Sequence, residues 1–581
     1  MKLAIASGLT RKNELQKSRR LMAACALVAG GICGSHVSAA SAPPASTSAP
    51  APAPAVIAGA PARASEQTSA STTGRYANAS DHGYGGVFGQ RELDWRNGAI
   101  VYQVLVDRFA PSGDLEKKRA LYPAPKVLRR WDEVPTRGNY LPSVKVWSHE
   151  IDFWGGDLQS LRGKLDYIHD LGADVVYLNP IHLAYTNHKY DALDYLAISP
   201  EFGNRADFDA LLGDVHRRGM KLVLDGVFNH MGRNAPMFQR ALADPTSPYR
   251  AWFNFGSQYP GGVRIWRDAQ NLPELNLENP EVRSYLYASP DSVVQTYLAA
   301  GVDGWRLDVA YDIGFNFLGE LTRAAHQRKP GSLVVGEIAN YPKEWFPSVD
   351  GVMDFTLRQI IIKTALGELP ASASARMVER MINDAGIEQM LKSWLFLDNH
   401  DTQRIATVLP VESQRRLAQV LQFTLPGSPN IYYGSELGMS GGGDPEMRAP
   451  MRWDQADDGN RSLVWMRKLI DLHQHNRALR VGDFRLLQAE HLFAFERYTD
   501  RIQDAVIILA NPSAQAVSET VLVPDSKLMN DVSLINALDA AAAPVPITSA
   551  LLTVNLPAGA IWVLKPDVAA KAGYTPYKRV Q

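Results

Sequence analysis

Three acidic residues, Asp308, Glu337 and Asp401, stand at the ends of apolar runs, in "WRLDVA", "VVGEIA" and "FLDNHDT". An apolar environment raises the pKa of a carboxyl group unless a partner offsets it. Cleavage of a glycosidic bond requires two carboxyl groups in different protonation states on either side of that bond. Arg306 lies two residues before Asp308 and would keep it ionised as a nucleophile. Glu337 has no cation beside it in the sequence and suits the protonated acid.

A purely structural explanation competes with this one. Strand alternation in "GWRLDVA" (304–310) places Arg306 and Asp308 on one face, as a buried ion pair would be. A buried pair is weak evidence for stability, and any one of the acids alone is equally well explained as a satisfied core residue. The choice depends on whether the fold brings the three acids together.

The elements that would position these acids alternate between short β-branched runs and amphipathic segments. Eight candidate strands are found in "AIVYQVLVD", "ADVVYLNP", "MKLVLDGVFNH", "VDGWRLDVA", "GSLVVGEIA", "VDGVMDF", "SWLFLDNH" and "SPNIYYGSELG". Alternation of strand and helix predicts a parallel sheet, and eight units predict an α/β fold, a closed (β/α)₈ TIM barrel. Polar residues follow several of these strands, at the barrel end where active sites are built. They are Asn179, Asp225, Asn229, His230, Asp308, Glu337, Asp398, His400 and Asp401.

The other segments surround this barrel, which is predicted over 98–230 and 280–480. The interval 231–279 is too long for an ordinary loop and predicts a small inserted subdomain after the third strand. After Val481 the pattern changes to alternating short strands, which predicts a C-terminal antiparallel β-sandwich over 481–566. Residues 76–97 form an N-terminal extension, and 567–581 form a tail.

The first 40 residues are typical of an export signal, with basic "RKNELQKSRR" before apolar "LMAACALVAGGICG" and small residues near Ala39. We therefore expect an exported protein, periplasmic or secreted, without a stable membrane span. Residues 41–75 are rich in Ala, Pro and Ser and are expected to form a linker. Both cysteines, Cys25 and Cys33, lie in the signal, so a disulfide or thiolate metal site is not expected in the mature chain.

Composition narrows the functional class. Sixty Lys and Arg balance 61 Asp and Glu, giving a net charge of −1, and no basic block suggests a nucleic-acid partner. The 12 Trp and 22 Tyr could stack on sugar rings, although large cores also use such residues.

Four motifs in order resemble the signature regions of the α-amylase family, glycoside hydrolase family 13. They are "DGVFNH" (225–230), "GWRLDVA" (304–310), "GEI" (336–338) and "FLDNHD" (396–401), and "LPELN" (272–276) and "GSPNIYYGSELG" (427–438) resemble two further ones. The resemblance implies that Asp308 is the nucleophile, Glu337 the acid/base and Asp401 the stabiliser of the distorted sugar. It further implies substrate binding or orientation by Arg306, His230, His400 and Asp225.

A second stretch is similar to the cyclomaltodextrinase, neopullulanase and maltogenic amylase group. It comprises "FWGGDLQSLRGKLDYIHDLGADVVYLNPI" and "TNHKYDALDYLAISPEFG". The similarity implies that Tyr190 stacks on the central sugar with His188 beside it. It also implies a retaining enzyme acting on α-glucan oligosaccharides, namely α-1,4 and possibly α-1,6 bonds of cyclodextrins and maltodextrins.

Two other functions stay open, an α-1,6-specific hydrolase or transglycosylase for an unusual cyclic or branched glucan, and a non-catalytic sugar-binding barrel. The oligomeric state is also open. No cofactor is required by the chemistry. A structural Ca²⁺ is possible, because Asp114 and Asp157 match part of the group's calcium loop, but Lys117 stands where an acid is expected. We therefore assign no metal ligand.

Overall fold

The computed structural model describes residues 81–580, so the predicted signal peptide and the 41–75 linker lie outside the described residues. Eight parallel strands form a closed barrel, in which each strand pairs with the next one in sequence and the eighth pairs with the first. The barrel strands are Val101–Val104, Val175–Leu178, Lys221–Gly226, Gly304–Leu307, Leu333–Ile338, Gly351–Asp354, Trp394–Phe396 and Ser428–Tyr432. The predicted TIM barrel is confirmed.

Helices cover the outside of the barrel. The longer ones are Leu158–Arg162, Leu165–Leu171, Arg205–Arg217, Val293–Ala300, Phe315–Arg328, Phe355–Ala365, Ala371–Ala385, Ile387–Lys392, Glu412–Thr424, Arg461–Gln474 and Arg477–Val481. Alternation along each strand divides the core in two. Val223, Val335 and Met353 pack inside the barrel, whereas Trp305 and Leu307 pack between strands and helices. Arg306 lies between those two outward-facing residues and therefore points into the barrel.

Three insertions lie on the side of the barrel where the strands end. The predicted one, 231–279, contains the helix Pro236–Ala243 and a few isolated bridges, such as His230 with Glu274. A second, 111–153, holds the strand pairs Val127–Leu128 with Asp152–Phe153 and Tyr140–Leu141 with Val146–Trp147. The third is a hairpin of His182–Ala184 and Ala192–Ile198. The sequence did not predict the second and third insertions. The second has strands of only two residues, which leave no alternation to detect, whereas the third pairs a three-residue strand with the seven-residue strand Ala192–Ile198.

Beyond the barrel, a six-stranded antiparallel sheet and a two-stranded sheet enclose a separate apolar core, which confirms the predicted C-terminal antiparallel region. Its strands are Asp483–Leu486, Phe493–Tyr498, Val506–Ala510, Val517–Leu522, Val532–Asn536, Val545–Ile547, Leu551–Leu556 and Ile561–Pro566. The N-terminal extension contains the helix Asp81–Leu93. Its Arg91 pairs with Glu388 and with Asp483 at the start of the C-terminal sheet. Over the described residues, every helix is too short or too polar to cross a lipid bilayer.

Candidate active site

Arg306 is the centre of a buried charge cluster at the end of the fourth barrel strand. Its Nη1 lies 2.8 Å from Asp225 Oδ1 and 2.9 Å from Asp308 Oδ1, and its Nη2 lies 2.9 Å from Glu337 Oε2. Strand register explains the convergence, since Arg306 pairs with Asp225 on the third strand and with Val335, two residues before Glu337, on the fifth. The fold therefore brings two of the predicted catalytic acids to one guanidinium.

This geometry corrects one expectation from the sequence. Glu337 has no cation beside it in the sequence, but Arg306 reaches it in space. Asp308 is also not simply held ionised, because burial raises its pKa well above the usual range while the Arg306 guanidinium opposes that rise. One arginine therefore contacts three carboxyl groups, and its single positive charge can neutralise only one of them.

A strained residue after the fourth barrel strand contacts Glu337 on the fifth. Val309 adopts left-handed backbone angles, φ 46° and ψ 43°, which a β-branched residue rarely takes. Its N–H donates to Glu337 Oε2 over 3.0 Å. Strain of this kind costs about 1–3 kcal/mol and persists where the surrounding structure enforces it, often at functional sites. Here the strained residue directly follows Asp308 and orients Glu337.

Asp401 lies in the loop after the seventh strand, and its carboxylate contacts a histidine and an arginine. His400 Nε2 lies 2.9 Å from Oδ2, and Arg448 Nη2 lies 2.9 Å from Oδ1. The partial burial of the Asp401 carboxyl group opposes its ionisation, but His400 and Arg448 outweigh this effect and lower its pKa. Its side chain stays 42% exposed, so the carboxylate is available to a bound molecule.

Tyr190 connects the two groups of acids. Its hydroxyl lies 2.6 Å from His400 Nε2 and donates to Asp225 Oδ2 over 2.8 Å. Its ring stacks on His400 with centroids 5.1 Å apart and an interplanar angle of 5°. Tyr177 donates a second hydrogen bond, of 2.6 Å, to Asp225. Asp225 is thus enclosed by Arg306 and two tyrosines, and its contacts support a positioning role rather than direct contact with a substrate.

The two remaining predicted histidines lie beside this network. His188 Nδ1 accepts the Tyr190 N–H over 3.1 Å, and its Nε2 lies 3.3 Å from Glu150 Oε1. Burial lowers the pKa of His230 to about 3, so its ring is neutral. Among the described residues its buried Nε2 has no hydrogen-bond partner, and Asp308 Oδ2 lies 4.0 Å away. An unpaired buried nitrogen this close to Asp308 suits a hydroxyl group of a bound molecule.

Several residues of the site received no role from the sequence, although Asn179 was named there among the polar residues that follow the strands. Gln103 Nε2 and Asn179 Nδ2 approach His400 Nδ1 to 2.9 and 3.1 Å and fix its ring. Arg448 and Asp444, in the loop after the eighth strand, lie 3.4 Å apart and extend the charges around Asp401. In the sequence, the only indication of the Asp444–Arg448 pair was their spacing of four residues in "DPEMR". That spacing does not indicate a functional site unless the contact of Arg448 with Asp401 is known.

The residues matching a calcium loop do not fit calcium. Lys117 pairs with Asp114, and Lys118 Nζ lies 2.8 Å from Asp157 Oδ2 in a mostly buried pair. The two ammonium groups thus supply the positive charge at both carboxylates. Calcium requires six to eight oxygen ligands, and the described residues contain no cluster of three or more acidic, histidine or cysteine side chains placed to hold a metal.

Comparison with known proteins assigns the chain to a family. Residues 103–500 match the family described as "Alpha amylase, catalytic domain". Neopullulanase 2 of Thermoactinomyces vulgaris is 33% identical over 457 residues, covering 74% of this chain and 72% of the relative. A cyclomaltodextrinase of a Bacillus species is 33% identical over 444 residues, covering 72% and 73%.

Solved structures give the same result. A cyclic alpha-maltosyl-(1→6)-maltose hydrolase from Arthrobacter globiformis, in complex with cyclic alpha-maltosyl-(1→6)-maltose, superposes with a TM-score of 0.67 at 29% identity, covering 81% of this chain and 99% of that one. The type III pullulan hydrolase from Thermococcus kodakarensis superposes with a TM-score of 0.69 at 27% identity, covering 81% and 82%. The chain therefore belongs to the alpha-amylase family and is a glycoside hydrolase whose substrates are α-glucans.

Proposed function

We propose that the enzyme cleaves α-1,4 bonds of cyclic and linear maltodextrins with retention of configuration, and that it also accepts α-1,6 bonds. The observation that carries this proposal is the convergence of Asp308 and Glu337 on one buried arginine, with Asp401 joined to the same network through His400 and Tyr190. Two carboxyl groups with a third beside them supply the parts required for double displacement at an anomeric carbon. The names of the relatives support the α-glucan substrate class.

Asp308 is the proposed nucleophile. Arg306 holds its Oδ1 at 2.9 Å, so Oδ2, on the side of His230, is the atom that attacks the anomeric carbon. Attack forms a bond from this oxygen to the sugar and breaks the bond to the leaving glucan. Arg306 keeps contact with Oδ1 throughout and stabilises the carboxylate when it is released again.

Glu337 is the proposed acid/base. Val309 N–H and Arg306 both contact Oε2. This leaves Oε1 to carry the proton that passes to the leaving-group oxygen in the first step. In the second step the same group removes a proton from water, and the water oxygen attacks the glycosyl–Asp308 ester. An acceptor sugar in place of water gives transglycosylation.

Asp401, His400, Tyr190 and His230 are the proposed sugar-positioning groups. The exposed Asp401 carboxylate accepts hydrogen bonds from sugar hydroxyls, and the unpaired His230 Nε2 provides another contact close to the nucleophile. The Tyr190 ring, fixed on His400, forms an apolar surface for the sugar. These contacts strengthen as the sugar ring flattens and thereby lower the barrier.

Stereochemistry tests the proposed mechanism. Proton NMR during hydrolysis of maltotetraose by the wild-type enzyme should show the α-anomer of the new reducing end first, with the β-anomer appearing only by mutarotation. Initial release of the β-anomer would refute double displacement at Asp308.

One alternative substrate is favoured by a specific observation. The three Arthrobacter globiformis structures are hydrolases of cyclic alpha-maltosyl-(1→6)-maltose, and they align with nearly their whole length. The alternative is therefore a hydrolase or transglycosylase for the α-1,6 bond of a small cyclic glucan. Initial rates on that cyclic tetrasaccharide and on β-cyclodextrin, at equal concentration, distinguish the two. A preference for the tetrasaccharide of tenfold or more favours the alternative.

We further propose that the enzyme is exported, on the basis of residues 1–40. Expression of the full chain in a Gram-negative host, followed by fractionation and N-terminal sequencing, should give a periplasmic or secreted enzyme beginning near Ala40. An unprocessed chain confined to the cytoplasm would contradict this.

A further inference from the structure

A pair of exposed aromatic residues has no role in the mechanism above. Tyr140 and Trp147 face each other across the short hairpin of the 111–153 insertion. Their side chains are 37% and 38% exposed, and their rings lie 5.7 Å apart at an angle of 68°. Single exposed aromatics are ordinary, but an adjacent pair presented together is typical of a binding surface. We refer to Tyr140 and Trp147 as the hairpin platform.

The backbone below the hairpin platform is fixed. Ser148 N–H donates to the Asn139 carbonyl over 2.8 Å, and Gly138 N–H donates to His149 Nδ1 over 3.1 Å. A Cβ atom at Gly138 would lie 2.8 Å from the His149 backbone nitrogen, so only glycine allows this close approach. These hydrogen bonds hold the backbone of the hairpin in place, so little backbone order has to be created when a ligand binds to the two rings.

Contacts connect the hairpin platform to the catalytic centre. The Trp147 ring lies 6.1 Å from the ring of His149, whose Nε2 is 3.0 Å from Asp444 Oδ2. Asp444 pairs with Arg448, which contacts Asp401. This path leads to Asp401 and not to Glu337, the proposed acid on the leaving-group side.

The other edge of the hairpin meets the 231–279 insertion. Tyr140 Oη lies 3.5 Å and Lys145 Nζ 3.2 Å from Gln270 Oε1. The hairpin thus joins two insertions on the side of the barrel where the strands end. These contacts place the hairpin next to the Asp401 side of the catalytic centre, where an extended glucan chain would meet it.

We propose that Tyr140 and Trp147, whose rings meet edge to face, bind a glucose unit of the donor part of the substrate beyond the sugar that Asp308 attacks, with one ring stacking on that glucose and the other bordering it. The inference rests on the proposed function and adds a chain-length preference to it. Stacking on a pyranose ring buries apolar C–H groups against an aromatic face without demanding a particular linkage pattern. A maltotriose donor end is too short to use this contact fully, whereas a longer or cyclic glucan reaches it.

The test compares short and long substrates. Values of kcat/KM are measured for maltotriose and maltoheptaose with wild type, Tyr140→Ala, Trp147→Ala and the double variant. We expect the value for maltoheptaose to fall about tenfold in the double variant, as for loss of one aromatic contact, while that for maltotriose changes less than twofold. A nitrophenyl label at the reducing end of maltoheptaose should show that cleavage moves toward shorter donor fragments.

Controls separate stacking from packing. Trp147→Phe retains an aromatic ring and should recover most of the rate, and Tyr574→Ala, at an exposed tyrosine of the C-terminal tail, should change nothing. Equal losses for maltotriose and maltoheptaose would show that Trp147 only supports His149, and would overturn the inference, as would equal rates in wild type and double variant. A wild-type enzyme that cleaves neither substrate would instead refute the proposed function.

Discussion

Replacement of Arg306 by methionine should destabilise the protein in a pH-dependent way. The guanidinium contacts Asp225, Asp308 and Glu337 at 2.8–2.9 Å, and the arginine is fully buried. Methionine fills much of the volume but leaves three neighbouring acids without their cation. Removing one partner from a buried ion pair costs about 3–5 kcal/mol of folding free energy, and we expect a loss of that size at pH 7.

The direction of the pH dependence follows from proton binding. Arg306 opposes the rise in the pKa of Asp308 caused by burial, so its removal raises that pKa further. An acid whose pKa is higher in the folded state binds more protons when folded, and stability then falls as the pH rises between the two pKa values. The loss is about 1.4 kcal/mol per pH unit for each such acid. Arg306→Met should therefore be closest to wild type near pH 5 and weakest near pH 8.

Urea denaturation at pH 5, 6, 7 and 8 measures this effect. Arg497→Met is the matched control, since Arg497 is also fully buried but donates to the backbone carbonyls of Thr424 and Gly482. Burial lowers the pKa of Arg497 to about 9, so it stays protonated over this range and its loss should add no slope. The free energy of unfolding of Arg306→Lys should lie between those of the wild type and Arg306→Met, because one ammonium group cannot contact three carboxyl groups at once. If the free energy of unfolding of Arg306→Met changed with pH as steeply as that of the wild type, the reasoning would be refuted.

Three further predictions concern other parts of the structure. Asp354 caps a helix, and its Oδ1 accepts the Leu357 N–H. Burial raises the pKa of Asp354 to about 6, so its contribution to stability falls as the pH rises from 4 to 6. Asp354→Asn should therefore raise the free energy of unfolding at pH 8 by about 2 kcal/mol in urea titrations. Lys118→Met should lower the free energy of unfolding by about 2 kcal/mol, because it leaves the mostly buried Asp157 without its cation. EDTA should leave the melting temperature of the wild-type protein unchanged. Tyr190→Phe keeps the ring but removes the hydroxyl shared by buried polar groups, and should reduce kcat/KM on β-cyclodextrin about 10- to 100-fold.

For each of these three predictions, a specific result would contradict it. A lower stability of Asp354→Asn at pH 8 would mean that the carboxylate is ionised and stabilises the helix. A fall in the melting temperature with EDTA, restored by calcium, would show that a metal supports the wild-type fold. Unchanged kcat/KM in Tyr190→Phe would place that hydroxyl outside the sugar-binding network.

The barrel could be predicted from the sequence because its strands are buried on both faces and appear as uninterrupted β-branched runs. The catalytic acids could be proposed because each follows such a run, and strands of a parallel barrel end on one side. The contact of Arg306 with Glu337 was missed because it joins residues 31 positions apart and depends on strand register. The hairpin of Tyr140 and Trp147 was missed for a different reason, since two-residue strands carry no period.

Identification of the residue that forms the covalent intermediate tests the central claim most directly. The wild-type enzyme is incubated with 5-fluoro-α-glucosyl fluoride, which forms the glycosyl-enzyme faster than water releases it, and the peptic digest is sequenced by mass spectrometry. The account predicts release of fluoride and one 5-fluoroglucosyl label, on the peptide containing Asp308, and no label in Asp308→Asn. A label on Asp225, Glu337 or Asp401, or the same labelling in Asp308→Asn, would contradict it.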